Sequence, residues 1–276
     1  MTISRQNITV VIVTFKSDDV IHDCIMSIPN DINIFVVDNA GDSNFKENIE
    51  KNYKNVSCIL SSENLGMGSG NNFGLKQVKT DYALILNPDV ILDKNTIDEL
   101  IISGKIIDDF AIISPLSKNE AYPNFKNING NVYDNSINPF KVKSVDGYSM
   151  LLNIKKINQL KGFENLNYFD ENIFLYLEND DLCKRLYDLN ENIYVVPKSK
   201  IYHIGASAVN KKFSHQVEVS RNWHWMWSKF YFTKKHNNYL LALVNGLPSF
   251  LSSILKFLFY FIIFKKKKRE IYLFRA

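Results

Sequence analysis

Short apolar runs alternate with amphipathic stretches over the first 115 residues. Thr9-Val-Val-Ile-Val-Thr14 has the unbroken β-branched character of a strand covered on both faces, and Ile32 to Asp38 is a second such run. Between them, Asp18 to Ile28 reads as a helix. Val56 to Leu60 and Tyr82 to Asn87 supply a third and a fourth strand, each preceded by a helical stretch. This alternation predicts an α/β fold, a doubly wound, mostly parallel, Rossmann-like sheet. Ligands of such sheets bind beyond the carboxyl ends of the strands. Here those ends are polar: Thr14-Phe15-Lys16, Asp38-Asn39 and Asn87-Pro88-Asp89. They should converge on one site.

Residues 117 to 144, rich in Asn, Lys, Pro and Gly, read as an excursion able to cover an acceptor. Val145 to Leu152 returns to strand character, and Ile193 to Val196 is a further short strand. Between these, Phe169 to Arg185 packs five carboxylates into an apolar segment. Leu182, Leu186 and Leu189 recur at helical spacing, so Glu178, Asp180 and Asp181 fall in the first turn of an amphipathic helix. Capping of a positive helix end explains acids there equally well on this pattern alone.

The C-terminal pattern differs. Leu247 to Phe264 is long and apolar, but Pro248, the serines and Lys256 interrupt it. Ser249, Ser252, Ser253, Lys256 and Tyr260 share one helical stripe opposite Leu251, Ile254, Leu255, Leu258 and Ile262. That describes an amphipathic helix lying in a membrane surface, with Lys265 to Arg269 drawn to anionic headgroups. The expected division is therefore residues 1–215, made of a half with the converging strand ends (1–115) and a half with the excursion and the acidic segment (116–215), followed by a helical membrane-associating region (216–276). Core packing is the expectation for Trp223, Trp225 and Trp227.

Composition narrows the class. With 276 residues, 46% hydrophobic and 13% aromatic, the chain can bury a large core, and a net charge of +4 gives no argument for nucleic acid. Cys24, Cys58 and Cys183 lack metal-ligand spacing and read as buried thiols in a reducing compartment. The opening residues carry no apolar signal core, so cytoplasmic residence is expected.

Candidate chemistry starts at Asp89, an acid at a central strand exit, where Mg²⁺ or Mn²⁺ would need one or two carboxylates plus substrate phosphates. His203, near a late strand end, is a possible third party. Asn64-Leu-Gly-Met-Gly-Ser-Gly-Asn-Asn-Phe-Gly74 is a glycine-rich turn opening a helix, a place for close backbone approach to phosphate. It fits neither the dinucleotide fingerprint nor a P-loop, which disfavours a dehydrogenase or an ATPase.

In order, Val11-Ile-Val-Thr-Phe15, Phe35-Val-Val-Asp-Asn-Ala40, Glu63-Asn-Leu-Gly66 with Gly70-Asn-Asn-Phe-Gly74, Leu86-Asn-Pro-Asp-Val90, Gly162-Phe163, Phe169-Asp-Glu171 with Phe174-Leu-Tyr-Leu-Glu178, Asp181-Leu-Cys-Lys-Arg185 and His203 resemble the inverting family 2 glycosyltransferases of the GT-A fold, particularly their rhamnosyltransferase-like members. The resemblance implies that Thr14, Phe15, Asp38 and Asn39 hold the base and ribose of a nucleotide sugar, that Asn64, Gly66 and Asn71 line the donor pocket, and that Asp89, with His203, holds a divalent metal. The family's Asp-x-Asp motif begins here with Asn87. It also implies a base among Glu178, Asp180 and Asp181, but the family reads Glu-Asp-x-Asp-Leu where this chain has Glu178-Asn-Asp-Asp-Leu182. Asn179 cannot take a proton, so Glu178 or Asp180 is left for that duty. The implied partners are a nucleotide-sugar donor, with dTDP-rhamnose foremost, a lipid-linked saccharide acceptor in bacterial surface polysaccharide synthesis, and the inner face of the cytoplasmic membrane. A catalytically silent nucleotide-sugar-binding scaffold and a nucleotidyltransferase are the alternatives.

Overall fold

A computed structural model of the chain describes residues 3–107, 109–119, 123–128, 137–163, 167–205 and 214–276. Its first part follows the expected alternation: β1 (Ile8–Thr14), α1 (Ile21–Met26), β2 (Asn33–Asp38), α2 (Ser43–Asn52), β3 (Val56–Leu60), α3 (Gly66–Leu75) and β4 (Tyr82–Leu86). β1 pairs in parallel with β2 and β4, and β2 with β3. All of β1 is buried, as a β-branched run covered on both faces must be. α1 is shorter than Asp18 to Ile28 because the Ser17 carbonyl draws the Val20 and Ile21 N–H groups into a turn at one end. At the other end the Ser27 hydroxyl donates to the Cys24 carbonyl at 2.6 Å, ahead of Pro29.

Beyond β4 antiparallel members join, so the sheet is mixed but mostly parallel, as expected. The elements are β5 (Val90–Leu92), α4 (Thr96–Ile107), β6 (Ile112–Ser117), β7 (Phe125–Lys126), β8 (Phe140–Lys141), β9 (Ser144–Val145), β10 (Ser149–Asn153), α5 (Ile154–Ile157), α6 (Glu178–Asp188) and β11 (Ile193–His203). β10 inserts antiparallel between β4 and β6, and β11 runs parallel to β6 while taking β5 and β8 antiparallel. The strand expected to stop at Val196 continues to His203 through a register shift between Val196 and Lys200. That continuation sets His203 beside Val90, next to Asp89. Of the excursion over 117 to 144, residues 120–122 and 129–136 lie outside the described residues.

Alternate residues of each strand feed two cores. Val10, Ile12, Ile34, Val36 and Leu84 meet Ile21, Ile49 and Leu100 from α1, α2 and α4 on one face. Val11, Ile85, Met150 and Leu152 meet Leu182, Cys183 and Leu186 of α6 on the other. The three cysteines are free and buried.

α7 (Ser214–His236), α8 (Tyr239–Ile262) and α9 (Lys266–Arg275) complete the chain. α8 starts earlier than Leu247 because the Asn238 side chain caps it, accepting from Leu241 N–H at 2.8 Å. Its polar stripe is partly covered. Ser253 is buried, the Lys256 ammonium lies 5.2 Å over the Tyr272 ring, and Tyr260 stacks on Tyr272 with centroids 5.4 Å apart, so Lys256 and Tyr260 meet α9 while Ser252 and much of Lys256 stay exposed. Leu251, Leu255, Leu258 and Ile262 are left exposed. Among the described residues, α8 is the helix long and apolar enough to cross a membrane, with a mean hydropathy of 1.5. The three tryptophans of α7, expected in the core, are exposed.

Candidate active site

A cavity of 780 Å³ opens beyond the carboxyl ends of β1 and β4, beside the end of β11, and is closed over by residues 174–179 and the start of α7. Thr14, Phe15, Asn39, Asn64, Gly66, Asn87, Asp89, Glu178 and His203 line it. Asp38, Asn71, Asp180 and Asp181 do not.

The donor side is built by turns. Asp38 is buried, and its two carboxylate oxygens accept from the backbone N–H groups of Ala40 at 3.1 Å and Asp42 at 2.8 Å. Burial pushes its carboxyl above the usual range while those two donors pull it down. It thus shapes the turn that aims Asn39, whose Nδ2 donates to the Gly66 carbonyl at 2.9 Å. Asn64 Oδ1 accepts from Gly66 N–H at 3.1 Å. Gly66 has φ +73°, and a Cβ there would sit 2.2 Å from the Phe174 carbonyl oxygen, so no other residue fits. Met67 N–H donates to that same oxygen at 2.8 Å. Asn72 clamps the acidic segment further along, donating to the Phe169 carbonyl and accepting from its N–H. The glycine-rich stretch is therefore a seat for residues 169–174 as well as a wall of the cavity. Asn71 is buried in α3 away from the opening.

Asp89 is 2% exposed, with Oδ1 3.4 Å from His203 Nε2, and Tyr148 stacks on the imidazole at 4.1 Å between centroids. Thr14 Oγ1, Asn39 Oδ1, Asn87 Oδ1, Asp89 Oδ1 and Glu178 Oε2 are buried without hydrogen-bond partners, and all five belong to residues that line this cavity. Such atoms cost about 1–3 kcal/mol each unless a ligand or water meets them. A hard, oxygen-seeking cation suits Asp89 and His203 chemically. Among the described residues no three His, Cys, Asp or Glu side chains gather to hold one, so further ligands would have to come from a substrate.

The three acids of α6 have separate fates. Tyr176 (φ 68°) and Leu177 (φ 66°) both take the left-handed conformation, which costs non-glycine residues energy and recurs at functional sites. This double bend starts α6 at the cavity wall with Glu178 facing inward. Burial, reinforced by the nearby Asp180 charge, pushes the Glu178 carboxyl up to about 7. Asp180 instead pairs with Lys126 Nζ at 2.7 Å outside the cavity. Asp181, fully buried, faces away from it and binds Arg185 Nε at 2.8 Å, Lys235 Nζ at 2.6 Å and His236 Nε2 at 2.8 Å. Asn179 lines the cavity, but its Nδ2 donates to the Val145 carbonyl at 2.8 Å.

Asp146, Tyr148 and Arg221 are among the lining residues that escaped the sequence reading. Burial, with Asp180 adding repulsion, raises the Asp146 carboxyl. Its signal was faint, an acid before a glycine at the start of a strand. The signal for Arg221 was stronger. Arg221, His224, Ser228, Tyr231 and Lys235 recur every three or four residues, a polar stripe on α7 that faces the acidic segment. His224 stacks on Phe174 at 4.1 Å, Ser228 Oγ donates to the Leu175 carbonyl at 2.7 Å, and Tyr231 and Lys235 both reach Asp170. Burial works upward on Asp170, but Lys235 and Asn172 hold its carboxyl down to about 2.

The profile of the family described as Glycosyl transferase family 2 matches residues 9–144. Over 202 residues the chain is 27% identical to the low-salt glycan biosynthesis hexosyltransferase Agl10 of Haloferax volcanii, covering 68% of this chain and 64% of Agl10. The chain thus spans a little under two thirds of that relative. It is also 27% identical over 202 residues to the rhamnosyltransferase WbbL of Escherichia coli K12, covering 62% of this chain and 72% of WbbL. Among solved structures, GalNAc-T7 with UDP, GalNAc and Mn²⁺ superposes with a TM-score of 0.55 at 16% identity, over 83% of this chain and 50% of that one. S. aureus TarS 1-349 gives 0.53 at 15% identity, over 97% and 90%. At such identity the likeness is one of fold, the GT-A arrangement.

Proposed function

The chain is a family 2 glycosyltransferase, and from that premise we propose that it moves a sugar, with inversion, from a nucleotide-sugar donor to a hydroxyl of a lipid-linked glycan. The observation that carries this reading is the cavity itself. Five residues that each carry an unpartnered buried polar atom, Thr14, Asn39, Asn87, Asp89 and Glu178, line a single space.

In this reading Thr14, Phe15, Asn39, Asn64 and Gly66 hold the nucleoside end of the donor. Asp89 and His203 would hold a divalent metal, Mg²⁺ or Mn²⁺, which as a Lewis acid stabilises charge on the departing diphosphate. Glu178 is the base. With its carboxyl near 7, a large fraction is ionised at neutral pH yet basic enough to accept a proton. The acceptor oxygen bonds to the anomeric carbon as its proton passes to Glu178, and the bond to the nucleoside diphosphate breaks on the opposite face. In this reading Asp180, tied to Lys126, and Asp181, tied to Arg185, Lys235 and His236, serve structure rather than proton transfer.

Rhamnose from dTDP-rhamnose is the donor we propose, in line with the activity named for WbbL. The acceptor belongs to bacterial surface polysaccharide synthesis, met at the inner face of the cytoplasmic membrane. Support comes from α8, whose apolar face stays open while Lys256 and Tyr260 of its polar stripe meet α9. A catalytically silent donor-binding scaffold is the second reading, favoured by the fixed amide of Asn179. The test is a panel of nucleotide sugars screened for thermal stabilisation with and without Mn²⁺, followed by transfer assays. Stabilisation by a dTDP-sugar with transfer abolished in Glu178→Gln is expected. No stabilisation by any nucleotide sugar refutes donor binding, and stabilisation without transfer selects the scaffold.

A further inference from the structure

α7 begins beyond the profile-matched residues 9–144, in the region expected only to serve the membrane, yet Gln216, Ser220 and Arg221 from its first two turns line the catalytic cavity. Arg221 is the unusual member. Among the described residues it forms no ion pair or hydrogen bond, although three carboxylates, Asp89, Asp146 and Glu178, line the same space. Its charge bears on the Tyr176 hydroxyl. The cavity therefore holds a guanidinium that is not ion-paired with its own acids.

The helix that carries Arg221 is held in place. His224 against Phe174, Ser228 on the Leu175 carbonyl, and Lys235 and His236 on Asp181 fix α7 over three turns. Asn222, the next residue, accepts from Arg275 Nη1 of α9 at 3.0 Å. A planar five-donor fork on a fixed helix, facing a cavity and lacking a carboxylate partner, is matched to a phosphate, which it can bind through two parallel hydrogen bonds.

We propose that Arg221 binds a phosphate group of a substrate, so that the C-terminal helices complete the active site rather than merely tether it. The proposal rests on the glycosyl-transfer reading, which offers two sources of that chemistry: the diphosphate of the donor and the phosphate that joins the acceptor glycan to its lipid.

The test measures binding to the intact chain and to Arg221→Gln and Arg221→Lys, each checked for an unchanged unfolding midpoint. UDP and dTDP, with uridine and thymidine as phosphate-free controls, probe the donor arm in the presence of Mn²⁺. Phosphatidylcholine vesicles with or without a polyprenyl phosphate probe the acceptor arm. The expected result is a loss of about ten- to a hundredfold in nucleoside diphosphate affinity for Arg221→Gln. Nucleoside affinity should be unchanged, and Arg221→Lys should recover part of the loss. Unaltered diphosphate affinity, with loss of the preference for vesicles bearing polyprenyl phosphate, assigns Arg221 to the acceptor phosphate. If neither arm changes, phosphate binding by Arg221 is overturned. Failure of the wild-type chain to bind UDP or dTDP would refute the donor site itself, and the vesicle arm then decides Arg221 alone.

Discussion

Replacing Glu178 by glutamine tests base duty and burial together. An ordinary glutamate ionises near 4.5 and Glu178 near 7. At about 1.4 kcal/mol per unit, the folded state resists ionising this side chain by on the order of 3 kcal/mol. The direction follows from proton binding. Between those two values the native chain holds a proton that the unfolded chain has released, so stability falls as pH rises from about 4.5 to 7 and levels off above. Glutamine carries no such burden. Glu178→Gln should match the wild type below pH 4.5 and gain progressively to on the order of 3 kcal/mol at pH 8, less whatever its amide loses by lacking partners. Transfer should move the other way, down about a hundred- to ten-thousandfold, and the acidic limb of the wild-type rate profile near pH 7 should vanish. Urea unfolding of both proteins at several pH values reads the first effect, and initial rates of sugar transfer read the second. A stability difference that is flat from pH 5 to pH 8 would refute the buried, proton-holding Glu178. Wild-type turnover in the variant would refute the base.

Asn179→Asp loses the donor to the Val145 carbonyl and points a carboxylate at that oxygen; we expect a loss of about 1–3 kcal/mol in urea unfolding and no gain in transfer, so a tenfold rise in turnover would contradict this geometry. Asp181→Asn strands Arg185, Lys235 and His236 around a buried neutral group; a cost of about 3–5 kcal/mol is expected, and a change under 1 kcal/mol would show that α7 does not depend on this contact. Asp89→Asn should abolish the added thermal stability that Mn²⁺ gives with a nucleoside diphosphate, worth about 2.7 kcal/mol in wild type at a hundredfold excess over Kd; persistence of that shift would remove Asp89 from the metal site. Leu255→Glu with Leu258→Glu, both on the exposed face of α8, should lower vesicle co-sedimentation at least tenfold; undiminished binding would place the membrane contact elsewhere.

The parallel half was readable because its strands carry their burial in their own composition, as β1 does with seven buried positions. The antiparallel insertion of β10 was not, since an apolar run such as Ser149 to Asn153 has no marker of direction and its neighbours β4 and β6 are distant in sequence. The extension of β11 to His203 was hidden by its register shift between Val196 and Lys200, where Pro197 lacks the N–H a regular ladder needs. Residues at strand ends, Thr14, Asn39, Asn87 and Asp89, were found because topology alone sends them to one place. The acids of α6 could be counted but not sorted. Which carboxylate faces the cavity depends on Tyr176 and Leu177 adopting positive φ, and on the partners Lys126, Arg185, Lys235 and His236, which lie nearby only after folding.

Seen from its energetics, the acidic segment divides labour between catalysis and attachment. Asp170 pairs with Lys235, and Asp181 with Arg185, Lys235 and His236, the last two on α7; Lys235 and Asn172 hold the Asp170 carboxyl down to about 2 against its burial. Glu178 is the carboxylate left poorly solvated and without a cation. Each state requires the other. The segment can keep a proton-hungry acid at the cavity wall only if its backbone is pinned, and the pins are the Asn72 clamp on one side and the stripe of α7 on the other. Because α7 also packs against α8 and α9, a membrane bound at the apolar face of α8 would bear on the same helix that fixes the proposed base. With Glu178 as that base, the C-terminal helices would belong to the catalytic scaffold: loosening α7 would let water reach Glu178, bring its carboxyl back toward the ordinary range, and weaken it as a base at neutral pH.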